Sequence, residues 1–141
     1  MKTPKNLKKG DKVGILSTAR KISPDEIKFA INIFESWGLI VDLAKNLFEE
    51  DNQFAGTISQ RTLDLQNMID RSDIKAFFFA RGGYGTVQII DNLNFSKLNK
   101  FPKWLVGYSD ITVIHSHLNN LGLITLHATM PINFVSNKKS A

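Results

Sequence analysis

Short apolar runs alternate along this chain with longer segments whose apolar residues recur every three or four positions. Val13-Gly14-Ile15-Leu16 is a continuous apolar run of strand length. Ser23-Pro24-Asp25-Glu26 reads as a helix start, with Ser23 as N-cap, Pro24 at the first helical position and Glu26 closing a capping box. Ile27, Ala30, Ile31 and Phe34 then share one helical face, and Gly38 stands where a helix would end. Leu39-Ile40-Val41 predicts a second strand. Thr57-Ile58-Ser59-Gln60 opens a second helix, with Leu63, Leu65, Met68 and Ile69 as its apolar side. Ala76-Phe77-Phe78-Phe79 predicts a third strand, apolar on both faces, as suits the middle of a parallel sheet covered on both sides. A short helix over 86–93, a strand at Trp104-Leu105-Val106, a helix over 111–121 and a strand at Leu123-Ile124-Thr125-Leu126 complete the pattern.

Strand and helix alternating in this way predict an α/β fold: a Rossmann-like, doubly wound, mainly parallel sheet with helices on both faces. The phenylalanines of the third strand, with Leu105 and Val106, are the expected centre of the core. A length of 141 residues, 43% hydrophobic and 22% charged, suits one globular domain. The absence of cysteine excludes a disulfide scaffold, a thiolate metal site and a cysteine nucleophile. The first ten residues carry no apolar run after their charges, and no stretch has the length and apolarity of a membrane span. A cytoplasmic location without membrane partners is therefore expected. The net charge is +5, with Lys2, Lys5, Lys8, Lys9 and Lys12 concentrated at the start. A nucleic-acid arm would interleave aromatic residues with such lysines, and none is present. A solvated leader is the expected reading, with no nucleic-acid partner. After Met130-Pro131 the pattern fades, and Asn137-Lys138-Lys139-Ser140-Ala141 reads as a polar tail or linker.

Sites in open parallel sheets form at the carboxyl ends of strands. Three segments fall there: Ser17-Thr18, Arg81-Gly82-Gly83-Tyr84-Gly85 and Tyr108-Ser109-Asp110. Ser109 is the candidate nucleophile. A strand entering a helix through Gly107-Tyr108-Ser109-Asp110 lifts a hydroxyl above the sheet, near the positive end of the next helix, with the Asp110 N–H facing any oxyanion formed there. The turn resembles a nucleophile elbow but lacks its second glycine. By spacing alone, a helix cap is the commoner role for Ser or Asp at such a position. The glycines at 82, 83 and 85 have two functional readings, donors to an oxyanion or a cradle for a nucleotide or phosphate; a flexible turn is the third. The dinucleotide pattern would need a further glycine where Gln88 stands, and the phosphate-binding loop's lysine is absent. Arg81 could hold a carboxylate bidentately or form a surface ion pair. His115 and His117 are two apart on a predicted helix, the wrong spacing for a metal pair, and His127 ends a strand; all three read as structural.

Several motifs appear in a fixed order: Leu7-Lys8-Lys9-Gly10-Asp11-Lys12-Val13-Gly14-Ile15 followed by Ser17, then Phe54-Ala55-Gly56-Thr57, Ala80-Arg81-Gly82-Gly83-Tyr84-Gly85 and Val106-Gly107-Tyr108-Ser109-Asp110-Ile111-Thr112. Together they resemble the LD-carboxypeptidases, serine peptidases that include murein tetrapeptide carboxypeptidase and the microcin C self-immunity peptidase. The resemblance covers nearly the whole chain and reverses the balance on Ser109, which matches the family's nucleophile. It implies an oxyanion hole from the backbone N–H groups of Asp110, Gly82 and Gly83, with Arg81 and Tyr84 as substrate contacts. It also implies removal of a terminal D-amino acid from muropeptides during wall recycling, commonly by a homodimer, without metal or cofactor. The family's triad is Ser-Glu-His, with Glu and His in a C-terminal domain that residues 1–141 do not contain. The resemblance thus marks 1–141 as a single nucleophile-bearing N-terminal domain, whose partners would be a muropeptide or related small peptide and its own C-terminal domain. Alone, this domain is expected to be inactive.

Overall fold

The run Lys12–Leu16 forms β1, the second strand of an all-parallel sheet ordered β2-β1-β3-β4-β5, in a computed structural model that describes residues 2–134. The polar stretch 137–141 lies outside the described residues. The other strands are β2 (Ile40–Leu43), β3 (Ile74–Phe79), β4 (Trp104–Gly107) and β5 (Leu126–His127). The helices are α1 (Pro24–Ser36), α2 (Ile58–Asp70), α3 (Lys97–Lys100) and α4 (Thr112–Asn120). Among the described residues no helix is long and apolar enough to cross a membrane.

Side chains alternate across each strand, so each strand feeds two layers. Leu16, Phe77, Phe79 and Leu105 pack against α2, α3 and α4. Val13, Ile15 and Ala76 pack on the other face against Ile27, Ala30 and Phe34 of α1. Both helix starts are fixed as the sequence predicts. The Glu26 carboxylate accepts from Ser23 N at 3.0 Å, and Thr57 and Gln60 exchange the two bonds of a capping box at 2.9 and 3.1 Å. Gly14 faces α2 so closely that an added Cβ would lie 2.4 Å from Met68 Sδ, which is why this strand position carries no side chain.

The expected core residues Phe77, Phe79, Leu105 and Val106 are buried, and Phe78 is half-buried. Phe78 meets the Phe34 ring at 4.6 Å and faces the side of the sheet on which α1 and residues 131–134 pack. Beyond them, Leu7, Ala76, Phe78, Trp104, Val106 and Leu126 line an open apolar groove.

Three local expectations are corrected. Residues 86–93 form two 3-10 turns, Thr86–Gln88 and Ile90–Asn92, instead of a helix. Four β-branched residues (Thr86, Val87, Ile89 and Ile90) and then Asp91 and Asn92 make a poor helix interior. The fifth strand is only Leu126–His127, because the stretch before it is engaged elsewhere: Lys2 N donates to Gly122 O and Ile124 N to Lys2 O. Leu63 is exposed, and the inner face of α2 reads Arg61, Asp64, Leu65, Met68, Ile69. Asp64 tolerates that position because its carboxylate accepts from the backbone and side-chain nitrogens of Asn46 at 3.0 and 2.9 Å.

Lys103, just before β4, is 2% exposed. Its ammonium donates to the carbonyls of Met68 and Arg71, closing the C-terminal end of α2. Burial pulls its pKa down from 10.5 to about 8. Between those values the unfolded chain binds the proton that the folded chain has released, so stability from this group rises with pH. We expect the stability of the wild type relative to Lys103→Met to increase from about pH 8 to 10.5, by up to about 3 kcal/mol, measured by urea denaturation across that range.

Candidate active site

Strand order determines where a site can form. From β1 the chain first turns outward to β2, then crosses back to β3 on the other side of β1. The loops after β1 and β3 therefore diverge, and the crevice between them lies at the carboxyl ends of the strands. The loop after β4 joins it. The expected candidates Ser17-Thr18, Arg81–Gly85 and Tyr108–Asp110 thus share one edge of the sheet.

Ser109 has φ of +63°, the left-handed region that a serine adopts only under constraint. It is the first residue of a 3-10 turn, Ser109–Ile111, that leads into α4; the N-cap position belongs to Tyr108, and no side chain caps the turn. The Asp110 carboxylate also caps nothing locally: it accepts a hydrogen bond at 3.0 Å from the backbone N of Thr86, in the loop after β3. The helix-cap explanation for Ser109 and Asp110 therefore does not describe this turn. A Cβ added at Gly82 would lie 3.4 Å from both Asp110 N and Ser109 Cβ, so the glycine loop and the serine turn lie side by side, about a methyl group apart. Among the described residues, Gly82 and Gly83 donate to no backbone carbonyl.

The glycine loop is moulded by its neighbours. Gly83 (φ +117°) passes under Arg20, whose Cδ would be 2.2 Å from an added Cβ. Gly85 (φ +140°) abuts Arg61, a residue given no role by the sequence patterns. Arg61 is 1% exposed. Its Nε donates to Gly56 O, its Nη1 to Thr18 O and Gly85 O, and its Nη2 to Gln88 Oε1, at 2.8–3.2 Å. Its face lies over the Phe54 ring, 4.5 Å from the centroid. Burial pulls the guanidinium pKa downward, and Asp51 and Asp110 oppose that shift. The Thr18 and Thr86 hydroxyls share a buried 2.7 Å hydrogen bond. A polar residue on a helix face expected to be apolar is the only signal the sequence offered for Arg61.

A cleft of about 270 Å³ opens over Ser109, lined by Arg81, Gly82, Gly83, Tyr108, Met130, Ile132 and Asn133. Arg81 is on its rim, 3.7 Å from Glu26 and bonded to Lys21 O. Tyr84 is not brought to the cleft; it is half-exposed and its ring sits 6.4 Å from that of Phe54. The segment 130–134, where the sequence pattern fades, supplies a cleft wall, held by Ile132 N donating to Ala80 O and the Tyr108 hydroxyl to Asn133 Oδ1. His115 is buried under the serine turn. Its Nε2 donates to Gly107 O at 2.8 Å, and its Nδ1 accepts from the Thr125 hydroxyl at 2.6 Å. His127 stands beside it, ring centroids 5.9 Å apart.

Two outcomes follow. Glycine occupies φ +63° without the Cβ clash, so Ser109→Gly should be more stable than Ser109→Ala by about 1 kcal/mol, read from paired denaturation curves. His115 is buried as the neutral imidazole and its pKa is lowered, by burial first. Its contribution is therefore present above the unfolded value of 6.5 and is lost as pH falls through the lower folded value. In His115→Gln, thermal stability should fall less steeply on acidification from pH 7 than in the wild type.

Comparison with known proteins identifies this architecture. Residues 13–128 match the LD-carboxypeptidase N-terminal domain of the S66 peptidases. A probable murein peptide carboxypeptidase of Bacillus subtilis is 39% identical over 90% of this chain and 40% of its own length. The murein tetrapeptide carboxypeptidase of Pseudomonas aeruginosa is 32% identical over 82% of this chain and 38% of its own length. The crystal structure of an MccF-like protein from Bacillus anthracis superposes on 93% of this chain and 41% of its own, with a TM-score of 0.84 at 26% identity. The muramoyltetrapeptide carboxypeptidase of Oxalobacter formigenes does so over 85% and 40%, with a TM-score of 0.76 at 25% identity. The chain spans about two-fifths of the length of the relatives it matches. With a parallel sheet, motif order and sequence in agreement, the chain belongs to the LD-carboxypeptidase family of peptidases.

Proposed function

We propose that this chain is the nucleophile-bearing part of a serine-type LD-carboxypeptidase that removes a terminal D-amino acid from muropeptides in the cytoplasm. The observation that carries this reading is Ser109: a non-glycine residue held at φ +63° at the end of β4, beside Gly82 and open to a cleft. Strain of this kind persists only where surrounding structure imposes it, and it clusters at functional sites. The names of the relatives support the substrate class.

In this mechanism the Ser109 oxygen attacks the carbonyl carbon that joins the L-centre to the terminal D-residue. Its proton passes to a histidine, oriented by a glutamate, from chain outside residues 1–141. The N–H groups of Asp110, Gly82 and Gly83 receive the developing oxyanion. The C–N bond breaks as the amine takes up the proton, and water then releases the acyl group from Ser109. On this reading Arg81, which lines the cleft, meets the substrate's terminal carboxylate, while Tyr84, outside the cleft, is left only a more distant part of the peptide. His115 is not the base on this reading. The ring nitrogens of His115 are committed to Gly107 and Thr125. The nucleotide reading of the glycine loop is weakened by the 3-10 turn after it, since no full helix N-terminus faces a phosphate there.

The test is release of D-alanine from a tetrapeptide muropeptide by the full product of the gene, by its Ser109→Ala variant and by residues 1–141 alone. The full product should turn over. Ser109→Ala should lose about 10⁴-fold or more in kcat, and the isolated chain should stay near the uncatalysed rate, because a serine without its base is a weak nucleophile. A fully active Ser109→Ala variant would show that Ser109 is not the nucleophile. Full activity of 1–141 would place the base within this chain.

A further inference from the structure

We infer that Arg61 is a positioning residue for the Ser109 turn, acting through the Gly85–Thr86 peptide group. The inference rests on the nucleophile reading of Ser109. In a trans peptide the C=O and the following N–H point in opposite directions. Here both ends of one such unit are gripped: Gly85 O accepts from Arg61 Nη1 at 3.1 Å, and Thr86 N donates to Asp110 Oδ2 at 3.0 Å. The orientation of this plane is therefore set by Arg61 on one side and delivered to Asp110 on the other. Asp110 directly follows Ser109, and its own N–H is the proposed oxyanion donor. A rotation of the 85–86 plane would withdraw the donor that holds the Asp110 side chain and release the adjoining strained residue.

Arg61 is suited to this task by what surrounds it. Its remaining donors reach Thr18 O after β1, Gly56 O before α2 and Gln88 Oε1 beyond the glycine loop, so its position is over-determined. The Thr18–Thr86 hydroxyl pair ties the same peptide to the β1 loop a second time. No carboxylate lies within ion-pair distance of Arg61 among the described residues, so its charge is spent on carbonyl and amide oxygens rather than on closing a pair. Lysine could carry the charge but not the planar fork that spans Gly56, Gly85 and Gln88 together.

The experiment uses the full product of the gene and the same muropeptide assay. Arg61→Lys is the primary variant, since it keeps the buried charge; Arg61→Ala is tested with and without added guanidinium ion. We expect kcat to fall about 10- to 100-fold with KM changed less than about threefold, because an ångström-scale misplacement acts on the reaction and not on binding. Added guanidinium should restore part of kcat in Arg61→Ala. A double-mutant cycle with Asp110→Ala, which removes the acceptor of Thr86 N and keeps the residue's own backbone N–H, should be strongly non-additive, since both residues grip one peptide. A purely structural role would give additive effects and rates that recover fully when normalised to folded enzyme. If Arg61→Lys is folded with wild-type kcat, or the cycle is additive, the inference is overturned. If Ser109→Ala retains activity, the nucleophile reading itself has failed, and that result is distinct from the Arg61 outcomes. Should Arg61→Ala not fold, Arg61→Lys and the cycle built on it decide the matter.

Discussion

A guanidinium removed from water must be surrounded by acceptors, and this constraint shapes the working edge of the sheet. Among the described residues Arg61 is buried without a carboxylate at ion-pair distance, and backbone carbonyls from separate loops converge on it. Loops tend to be the most variable and mobile parts of a fold. Here the segments after β1, before α2 and after β3 are tied to one planar group that sits on the most rigid support available, a helix packed on the sheet. The close approach of α2 at Gly14 and the closure of its far end by Lys103 belong to the same arrangement, because a helix that slid along the sheet would carry Arg61 with it.

The strain at Ser109 is tolerable only within that frame. A left-handed serine loses of the order of 1 kcal/mol or more relative to relaxed backbone. It is held from two sides, since His115 binds Gly107 O beneath it and the Asp110 carboxylate reaches across to Thr86, and Gly82 lies beside it. None of these contacts needs the serine hydroxyl, which leaves that group available for chemistry. A cap would use the oxygen on a backbone N–H; this turn instead assigns the neighbouring carboxylate to a distant loop.

The layer order and most element positions were legible in the sequence, since they depend on short-range patterns: the capping boxes at Ser23 and Thr57, the two-sided apolar run at Phe77–Phe79, the glycine-bearing turns. Ser109, Asp110 and the glycine loop were legible as motifs, and their adjacency followed from neighbouring strands. What was not legible depends on partners far away in the chain. Arg61 sits among apolar residues on α2, and only the carbonyls of Thr18 and Gly85 explain it. Residues 130–134 have no periodicity because their role is to wall a cleft. The expected helix at 86–93 and the long fifth strand failed for related reasons: β-branched and polar residues disfavour the first, and Lys2, more than a hundred residues away, already occupies the backbone of the second. Leu63 was assigned to the core by polarity alone, although Ser59 and Asn67, which share its helical face, are polar and exposed.

The strand order also bears on how the chain reaches this state. β1 is made first, yet one of its two neighbours, β3, begins about sixty residues later. Parallel pairings of this span are slow to form because the loop entropy is lost before the contacts repay it. A nascent chain can hold β1, α1 and β2 as one unit, but the second edge of β1 stays unpaired until Phe79 is available. β4 and β5 then add outward from β3 in order of synthesis. The serine turn lies between those last two strands, so its left-handed backbone is imposed late, on a scaffold already assembled. Substitutions that relax the turn are therefore expected to slow unfolding while leaving the rate of folding almost unchanged.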